Sequence, residues 1–246
     1  MNLAVKRVFF FLIIFTICQS VAVAKENSNA ITGGAQLAQY TANYKILRKG
    51  KEYGEADRTL ILNDGVYTLE LTSRASTFFY SINTKQTSQF SLYGNDFHQI
   101  SYKSIDDRSF KKANRQSIHF DHKNNIVLGN SKGKAWQKNL QTQTYDPLSV
   151  IEILKLNLSN KNEDRNYQVY DDAKIKDYVF VNYEEETINT NVGELECVKV
   201  TRVRKNSTRK TSIWFSQKYT FVPVKVLQEK DGDEVAIMIL DSIELN

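Results

Sequence analysis

The sequence contains very little cysteine. Cys18 and Cys197 are the only two cysteines among 246 residues, and Cys18 lies within an apolar run near the N-terminus. If that run is removed, a single thiol remains and no intramolecular disulfide can form. The fold must then be held together by a hydrophobic core, which a chain of this length is large enough to bury.

Proline and long hydrophobic runs are also scarce. Pro147 and Pro223 are the only prolines, so little interrupts long β-strands. The apolar run from Val8 to Cys18 is shorter than the roughly 20 residues that a membrane-spanning helix needs. We therefore expect no transmembrane segment in the mature chain.

Neither sign of charge is in large excess. Lys and Arg together number 33 and Asp and Glu 28, which gives a formal net charge of +5. A nucleic-acid-binding protein is expected to concentrate a strong basic excess on one face. The sequence therefore predicts no nucleic-acid partner.

The first 24 residues have the order of an export signal. Lys6 and Arg7 precede the apolar run, and Ala22-Val23-Ala24 follows it. We expect cleavage after Ala24, a flexible leader over residues 25–39 and a periplasmic mature protein. Lipidation of Cys18 is the alternative, but the preceding residue is Ile17, where a small residue is usual.

Short runs rich in β-branched and aromatic residues follow, separated by turn sequences such as Asn63-Asp64-Gly65 and Asp231-Gly232-Asp233. This pattern predicts about a dozen strands in an all-β, mainly antiparallel single domain over residues 40–246. A sheet of that length curls to avoid exposed edges, so we expect a strongly curved sheet or incomplete β-barrel. Phe78-Phe79-Tyr80 and Trp214-Phe215 are expected to place aromatic side chains on both faces of their strands. Most aromatic residues are expected to fill the core, with a cavity lined by some of them as the alternative.

One segment has helical spacing. Leu148, Ile151, Leu154 and Leu158 fall on one stripe, after an Asp146-Pro147 pair suited to the N-cap and first helical position. We predict a single amphipathic helix over about 146–158, lying in or across the opening of the sheet.

Five short segments occur in order along the chain: the Tyr-rich strand pair from Tyr44 to Gly54, Tyr145-Asp146-Pro147-Leu148-Ser149, Gly193-x-Leu195-x-Cys197-x-Lys199-Val200, Ile213-Trp214-Phe215-Ser216 and Val222-Pro223-Val224-Lys225-Val226. Their order after an export signal resembles the bacterial exported proteins grouped as domain of unknown function 3108. The resemblance covers roughly Tyr40 to Leu245, and it implies a mostly β envelope protein without an established activity. The layout is also similar, by architecture alone, to periplasmic lipoprotein carriers, which hold acyl chains inside an incomplete barrel.

The residues that could carry catalysis favour structural roles. His119 and His122 would point to opposite faces of a strand, and two ligands are too few for a zinc site. Cys197 lies in an apolar strand, where a lone thiol packs as a small hydrophobe. Glu184-Glu185-Glu186 is interpreted as a solvated strand end, although a carboxylate pair for sugar hydrolysis stays open. We predict no catalytic residue, no metal ligand and no cofactor.

One basic cluster stands out from the rest of the charge pattern. No acidic residue lies between Lys199 and Lys210, and an Asn206-Ser207 turn brings two groups of cations together. Phosphates of lipid or lipopolysaccharide are anions that such a hairpin can bind. A charged hairpin that discourages edge-to-edge aggregation is the alternative. The candidate anion contacts are Arg202, Arg204, Lys205, Arg209 and Lys210.

Three functions follow from these observations. The first is a non-enzymatic envelope protein that binds lipid or another amphipathic ligand in its curved sheet. The second is an interaction scaffold that recognises another envelope protein or peptidoglycan. An envelope hydrolase is the third, with no carboxylate that the sequence singles out.

Overall fold

One long β-sheet forms the framework of the protein. The computed structural model describes residues 36–94, 96–161 and 165–246, so the predicted export signal and the first part of the leader lie outside the described residues. The 15 strands are β1 Tyr40–Arg48, β2 Lys51–Asn63, β3 Val66–Thr77, β4 Tyr80–Tyr93, β5 Asp96–Arg108, β6 Asn114–Asp121, β7 Ile126–Ser131, β8 Lys134–Asn139, β9 Thr144–Tyr145, β10 Asn166–Asp171, β11 Lys174–Thr190, β12 Gly193–Val203, β13 Lys210–Ser216, β14 Val222–Lys230 and β15 Asp233–Leu245.

The strands follow one another as hairpins on two sides of a central pair. The order across the sheet is β8-β7-β6-β5-β4-β3-β2-β1-β15-β14-β13-β12-β11-β10-β9, so the first and last strands pair in the middle. All neighbours are antiparallel except β9 and β10, which run parallel. The prediction of a mainly antiparallel all-β domain is confirmed.

The sheet bends until strands near its two edges touch through side chains. Tyr170 of β10 donates its hydroxyl proton to the Asn139 carbonyl oxygen of β8 at 2.7 Å. The rings of Phe120 on β6 and Tyr170 are 5.8 Å apart between centroids. Among the described residues no backbone ladder joins β8 to β9 or β10, so the sheet is an incomplete barrel.

Alternation of side chains defines the inner face of this sheet. Tyr40, Ala42 and Tyr44 are buried on β1, whereas Asn43 between them is exposed. Because successive side chains of a strand point to opposite faces, one face of β1 is directed into the core. Register shifts such as the one between Gln89 and Phe90 add local bend and twist.

The part of the chain that the structure describes contains a single α-helix, α1, which covers Val150–Ser159 and packs within the bend of the sheet. The helix begins later than the predicted 146–158, because residues 147–149 form a turn that the Asp146 side chain holds through two backbone amides. Asp146 Oδ1 accepts from the Leu148 and Ser149 amides at 2.8 and 2.9 Å. The helix is buried on most of its surface, which agrees with the wide apolar arc in its sequence.

The structure differs from the sequence predictions at three other places. The strands β8, β9 and β10 were not predicted. Leu37, assigned to the flexible leader, is buried and donates its amide proton to Tyr67 Oη at 3.1 Å. Phe78 and Phe79, predicted to lie in a strand, form the exposed turn between β3 and β4. The described part of the chain contains no helix with the length and hydropathy of a membrane span.

Candidate functional site

The predicted basic cluster lies at the turn between β12 and β13. Arg204, Lys205 and Arg209 are exposed in that connection, and Lys210 is exposed at the start of β13. Asn206 adopts a positive φ of 57°, which allows the tight reversal that the Asn-Ser pair indicated. Thr208 bonds to Asp231 at 2.5 Å and ties this turn to the one between β14 and β15. Four cations are therefore presented together to solvent.

Arg202, the fifth residue of the cluster, has a different environment. Its guanidinium carbon lies 3.0 Å from the centroid of the Tyr178 ring on β11, and the side chain is half-buried. Stacking on an aromatic face is a favourable position for a guanidinium group. Arg202 therefore packs against the neighbouring strand, and the exposed face of the cluster consists of Arg204, Lys205, Arg209 and Lys210.

A buried charge network that the sequence did not predict lies between α1 and the sheet. Glu152 of α1 is fully buried, and its Oε1 accepts from Arg58 Nη2 at 2.9 Å and from Tyr40 Oη at 2.8 Å. Its Oε2 lies 2.7 Å from Lys155 Nζ, one turn along the same helix. The two cations hold the pKa of Glu152 down at about 2, in spite of a burial that opposes ionisation.

A second cluster of polar residues holds the start of the helix against β4 and β5. The Ser88 hydroxyl donates to Asp146 Oδ2 at 2.5 Å, and Gln99 Nε2 donates to Ser149 Oγ at 2.5 Å. Burial raises the pKa of Asp146 to about 6, although the hydrogen bonds that its carboxylate accepts from Ser88, Leu148 and Ser149 act in the opposite direction. Both groups of polar residues are closed off from solvent, so their arrangement suits positioning of the helix.

A signal for this network is present in the sequence of the helix. Glu152 and Lys155 are three residues apart within an apolar run, and residues at that spacing share a helix face. Charged residues inside a wide apolar arc indicate a paired, buried site. Arg58 has no comparable signal in the sequence. A charged residue in an alternating strand is normally expected on the face that points to solvent.

The other candidate residues do not come together in one site. His119 and His122 are both exposed, and the His122 ring lies 5.4 Å from that of His98 between centroids.

Glu184 and Glu186 share a face and approach Lys199 at 3.8 and 3.6 Å. They lie in the middle of the long strand β11, so the assignment to a strand end was wrong. The described residues hold no cluster of three or more groups suited to a metal ion.

Cys197 is buried in β12. Burial, and to a lesser extent the nearby Glu186 carboxylate, raises the pKa of the thiol to about 12. Lys199, the local cation that could have activated it, lies within reach of two glutamates instead. Since the thiolate is the reactive form, this environment disfavours a reactive thiol at neutral pH.

Two surface concavities have polar linings. One of about 230 Å³ lies over β2, β3 and β4 and includes Glu52, Glu55 and Arg74. The other, of about 330 Å³, is lined by residues of β11, β12 and the 3₁₀ turn Gln217–Tyr219, among them Glu196 and Lys218. Neither includes a residue of α1 or lies between the helix and the sheet.

The model of a protein family of unknown function, DUF3108, matches residues 39–239. The chain belongs to the DUF3108 family. The resemblance seen in the sequence is thereby confirmed over nearly the whole sheet, from before β1 into β15. No curated protein matches this sequence.

The solved structures that this chain matches are distant in sequence. A β-barrel-like protein of domain of unknown function DUF1849 from Brucella abortus has a TM-score of 0.58 and 11% identity, over 86% of this chain and 99% of that one. A candidate lipoprotein from Parabacteroides distasonis has a TM-score of 0.33 and 12% identity, over 86% and 97%. A candidate exported protein with a YmcC-like fold from Bacteroides fragilis gives 0.32 and 10%, over 86% and 97%. The first of these supports the β-barrel-like fold of this member of the DUF3108 family.

Proposed function

We propose that this protein is a non-enzymatic binding protein of the cell envelope that acts through its outer surface. The observation that supports this proposal is the filled concave face of the sheet. Tyr40, Tyr44 and Leu154 are fully buried there, and the Arg58–Glu152 pair links α1 to β2. An acyl chain would have to displace the helix and separate this buried ion pair, and leaving one buried charge without its partner costs about 3–5 kcal/mol.

The envelope location is supported by the N-terminal sequence. Lys6, Arg7, the apolar run and Ala22-Val23-Ala24 have the order of an export signal. The predicted cleavage after Ala24 is tested by N-terminal sequencing of protein recovered from the periplasm. A product that begins at Lys25 is expected, and uncleaved protein in the cytoplasm would contradict the location.

The outer surface offers the exposed cations of the β12–β13 turn as a contact for an anionic partner. Arg204, Lys205, Arg209 and Lys210 are the residues proposed for it, and Arg202 supports the strand through its contact with Tyr178. A photo-crosslinking amino acid at position 205 is expected to capture an envelope component in cells. The same probe at position 123, an exposed lysine in the β6–β7 turn, is the matched control.

Native mass spectrometry of protein purified from its own periplasm distinguishes surface binding from the carrier hypothesis. Surface binding predicts the mass of the polypeptide alone after gentle detergent-free purification, and no displacement of an environment-sensitive apolar dye from an interior site. A stoichiometric lipid that survives purification and competes with the dye would overturn the proposal in favour of a carrier. Until then the interior lipid site stays a prediction.

A further inference from the structure

The turns of an antiparallel meander lie alternately at its two ends. The turns after β1, β3, β5 and β7 are therefore at one end of the sheet, and the pairing of β1 with β15 adds the turns after β10, β12 and β14 to it. We name this end the basic rim. Contacts between turns support the assignment: Ser109 N donates to Ser81 O at 3.0 Å, and Lys132 pairs with Asp172 at 2.9 Å.

Three phenylalanines project from neighbouring turns of the basic rim. Phe78 and Phe79 form the β3–β4 turn with exposures of 92% and 77%, and Phe110 in the β5–β6 turn is 91% exposed. The Ser81 and Ser109 hydroxyl oxygens lie 2.9 Å apart and join the two turns. Soluble proteins scatter single apolar residues over their surfaces, whereas exposed side chains of this size grouped together indicate an interaction site.

Phe110 is also unfavourable for the fold itself. Its φ is +62°, in the left-handed region where glycine and asparagine are accommodated and a bulky residue is strained. A side chain that is 91% exposed makes few packing contacts, so packing offsets little of the strain energy. Its presence therefore points to a contact made outside the folded chain.

Cations surround the three phenylalanines. Arg48, Lys49 and Lys51 are exposed at the β1–β2 turn, and Lys111 and Lys112 are exposed beside Phe110. Within the described residues none of these five forms an ion pair through its side chain. The exposed cations of the β12–β13 turn lie on the same rim. Its acids include Asp172, which pairs with Lys132, and Asp231, which bonds to Thr208 and lies 3.5 Å from Lys230. Asp233 and Glu234 also lie at the β14–β15 turn, where Glu234 accepts a hydrogen bond from the Lys49 amide. The cations named above still outnumber these acids.

The opposite rim has the reverse character. The turns after β2, β4, β6, β11 and β13 lie there. With the strand residues that flank them, these turns carry four exposed or half-buried acids and two exposed lysines, which are Asp64, Asp96, Asp121, Glu194, Lys123 and Lys218. Among the described residues, the most exposed aromatic side chain at this end is Tyr93, at 67%. The two ends of the sheet therefore differ in both charge and apolar exposure.

We propose that the basic rim docks on an anionic phospholipid bilayer, with Phe78, Phe79 and Phe110 inserted between the headgroups. This inference deepens the proposed function, on which it rests, by naming the partner of the outer surface. Apolar side chains at protruding tips enter the interface, and the cations around them attract anionic headgroups. Lysine predominates here and is depleted in protein–protein interfaces, which favours a lipid surface over a protein partner.

Flotation of the purified mature protein with vesicles tests the proposal. Vesicles of phosphatidylethanolamine and phosphatidylglycerol at 0.1 M salt are expected to carry the protein upward, and vesicles of phosphatidylcholine alone are expected to leave it behind. The triple variant Phe78→Ser, Phe79→Ser, Phe110→Asn is expected to lower the partition coefficient roughly tenfold or more, because each phenylalanine loses apolar contact. Lys111→Gln is expected to lower it about fivefold, from roughly 1 kcal/mol per cation.

The matched control is the variant Tyr93→Ser, Lys123→Gln, which makes the same kinds of change on the opposite rim. It is expected to change partitioning by less than about twofold. Circular dichroism and thermal unfolding confirm that each variant is folded, and Phe110→Asn should be tolerated because asparagine accepts a positive φ.

Several outcomes overturn the inference. They are failure of the parent protein to float, equal binding to neutral vesicles, or equal binding by the triple variant and its control. A photo-crosslink from position 79 to a protein, in the absence of vesicle binding, assigns the rim to a protein partner. Failure of flotation leaves the proposed function intact, since that is decided separately by whether a lipid occupies the interior.

Discussion

Glu152 is the residue on which the attachment of α1 to the sheet depends most. Its carboxylate is fully buried and contacts Arg58, Lys155 and the Tyr40 hydroxyl. It therefore supplies the negative charge for two buried cations that water does not solvate. Such buried pairs contribute little net stability over an apolar replacement, but removal of one member is strongly destabilising. The network therefore determines the position of the helix on the sheet and its rotation about its own axis.

Replacement of Glu152 by Gln should lower the free energy of unfolding by about 3–5 kcal/mol, because two buried cations lose their counter-charge. Urea unfolding followed by tryptophan fluorescence measures this change. Glu70→Gln is the control, since Glu70 pairs with Lys85 at 2.8 Å on a partly exposed strand and should cost less than about 1 kcal/mol. Equal effects of the two substitutions would refute a special role for the buried network.

Asp146 makes stability depend on pH in a direction opposite to Glu152. Its pKa is about 6 in the folded protein against 3.8 in the unfolded chain, so the folded state favours the proton. The contribution of Asp146 to the free energy of unfolding is therefore complete below pH 3.8. It falls by about 3 kcal/mol as the pH rises through 6. For Glu152, with a folded pKa of about 2 against 4.5, stability is instead lost as pH falls from 4.5 towards 2.

The variant Asp146→Asn isolates the first of these effects. Asparagine keeps the acceptor for the Leu148 and Ser149 amides but does not ionise, so the decline between about pH 4 and 6 should disappear. Unfolding free energies measured at half-unit intervals from pH 3 to 8 provide the check. A variant that retains the parent's slope over this interval would show that another group is responsible.

At the scale of elements, strand β2 is held close to β3 by a glycine. A Cβ built on Gly54 would lie 1.9 Å from the Arg74 carbonyl oxygen, which belongs to the backbone and cannot rotate away. Gly54→Ala should therefore loosen the β2–β3 ladder and destabilise the protein by about 1–3 kcal/mol. Thermal unfolding tests this, with exposed Ser76→Ala in the same hairpin expected to have little effect. Equal melting temperatures would contradict the close approach.

The elements that the sequence predicted are those with a strong local signal. The β2–β3 hairpin follows from Asn63-Asp64-Gly65 between alternating runs, and α1 follows from its apolar spacing. Strand β8 is short and carries one large apolar residue, Trp136, so its pairing with β7 is a tertiary effect that propensity does not encode. Arg58 was missed for the same reason, because its burial depends on a helix nearly a hundred residues away.

At the scale of the whole molecule, the basic rim was only partly visible in the sequence. The β12–β13 cations are contiguous and were predicted to cluster, whereas Phe78, Phe79 and Phe110 come together only through hairpin alternation. Exposure of a turn residue is a property of the folded sheet, and an aromatic pair within a β-rich segment is typical of a strand. Surface sites in a meander of this kind are therefore assembled by topology.

The two edges of the sheet should be energetically linked through Tyr170. Its ring is fully buried, lies 6.1 Å from that of Trp136 on β8, and its hydroxyl bonds to the Asn139 carbonyl. Tyr170→Ala removes all of these contacts and should cost about 3–5 kcal/mol.

Hydrogen exchange measured by mass spectrometry shows whether the substitution destabilises both edges of the sheet or only one. Exchange should accelerate in both β8 and β10, although they lie far apart along the strand order, while the central pair β1 and β15 should exchange only through global unfolding. Tyr93→Ala, an exposed aromatic on the opposite rim, should leave all four strands protected as in the parent. Faster exchange in β10 alone would mean that the edges open independently, and the partial closure of the barrel would then contribute nothing to its stability.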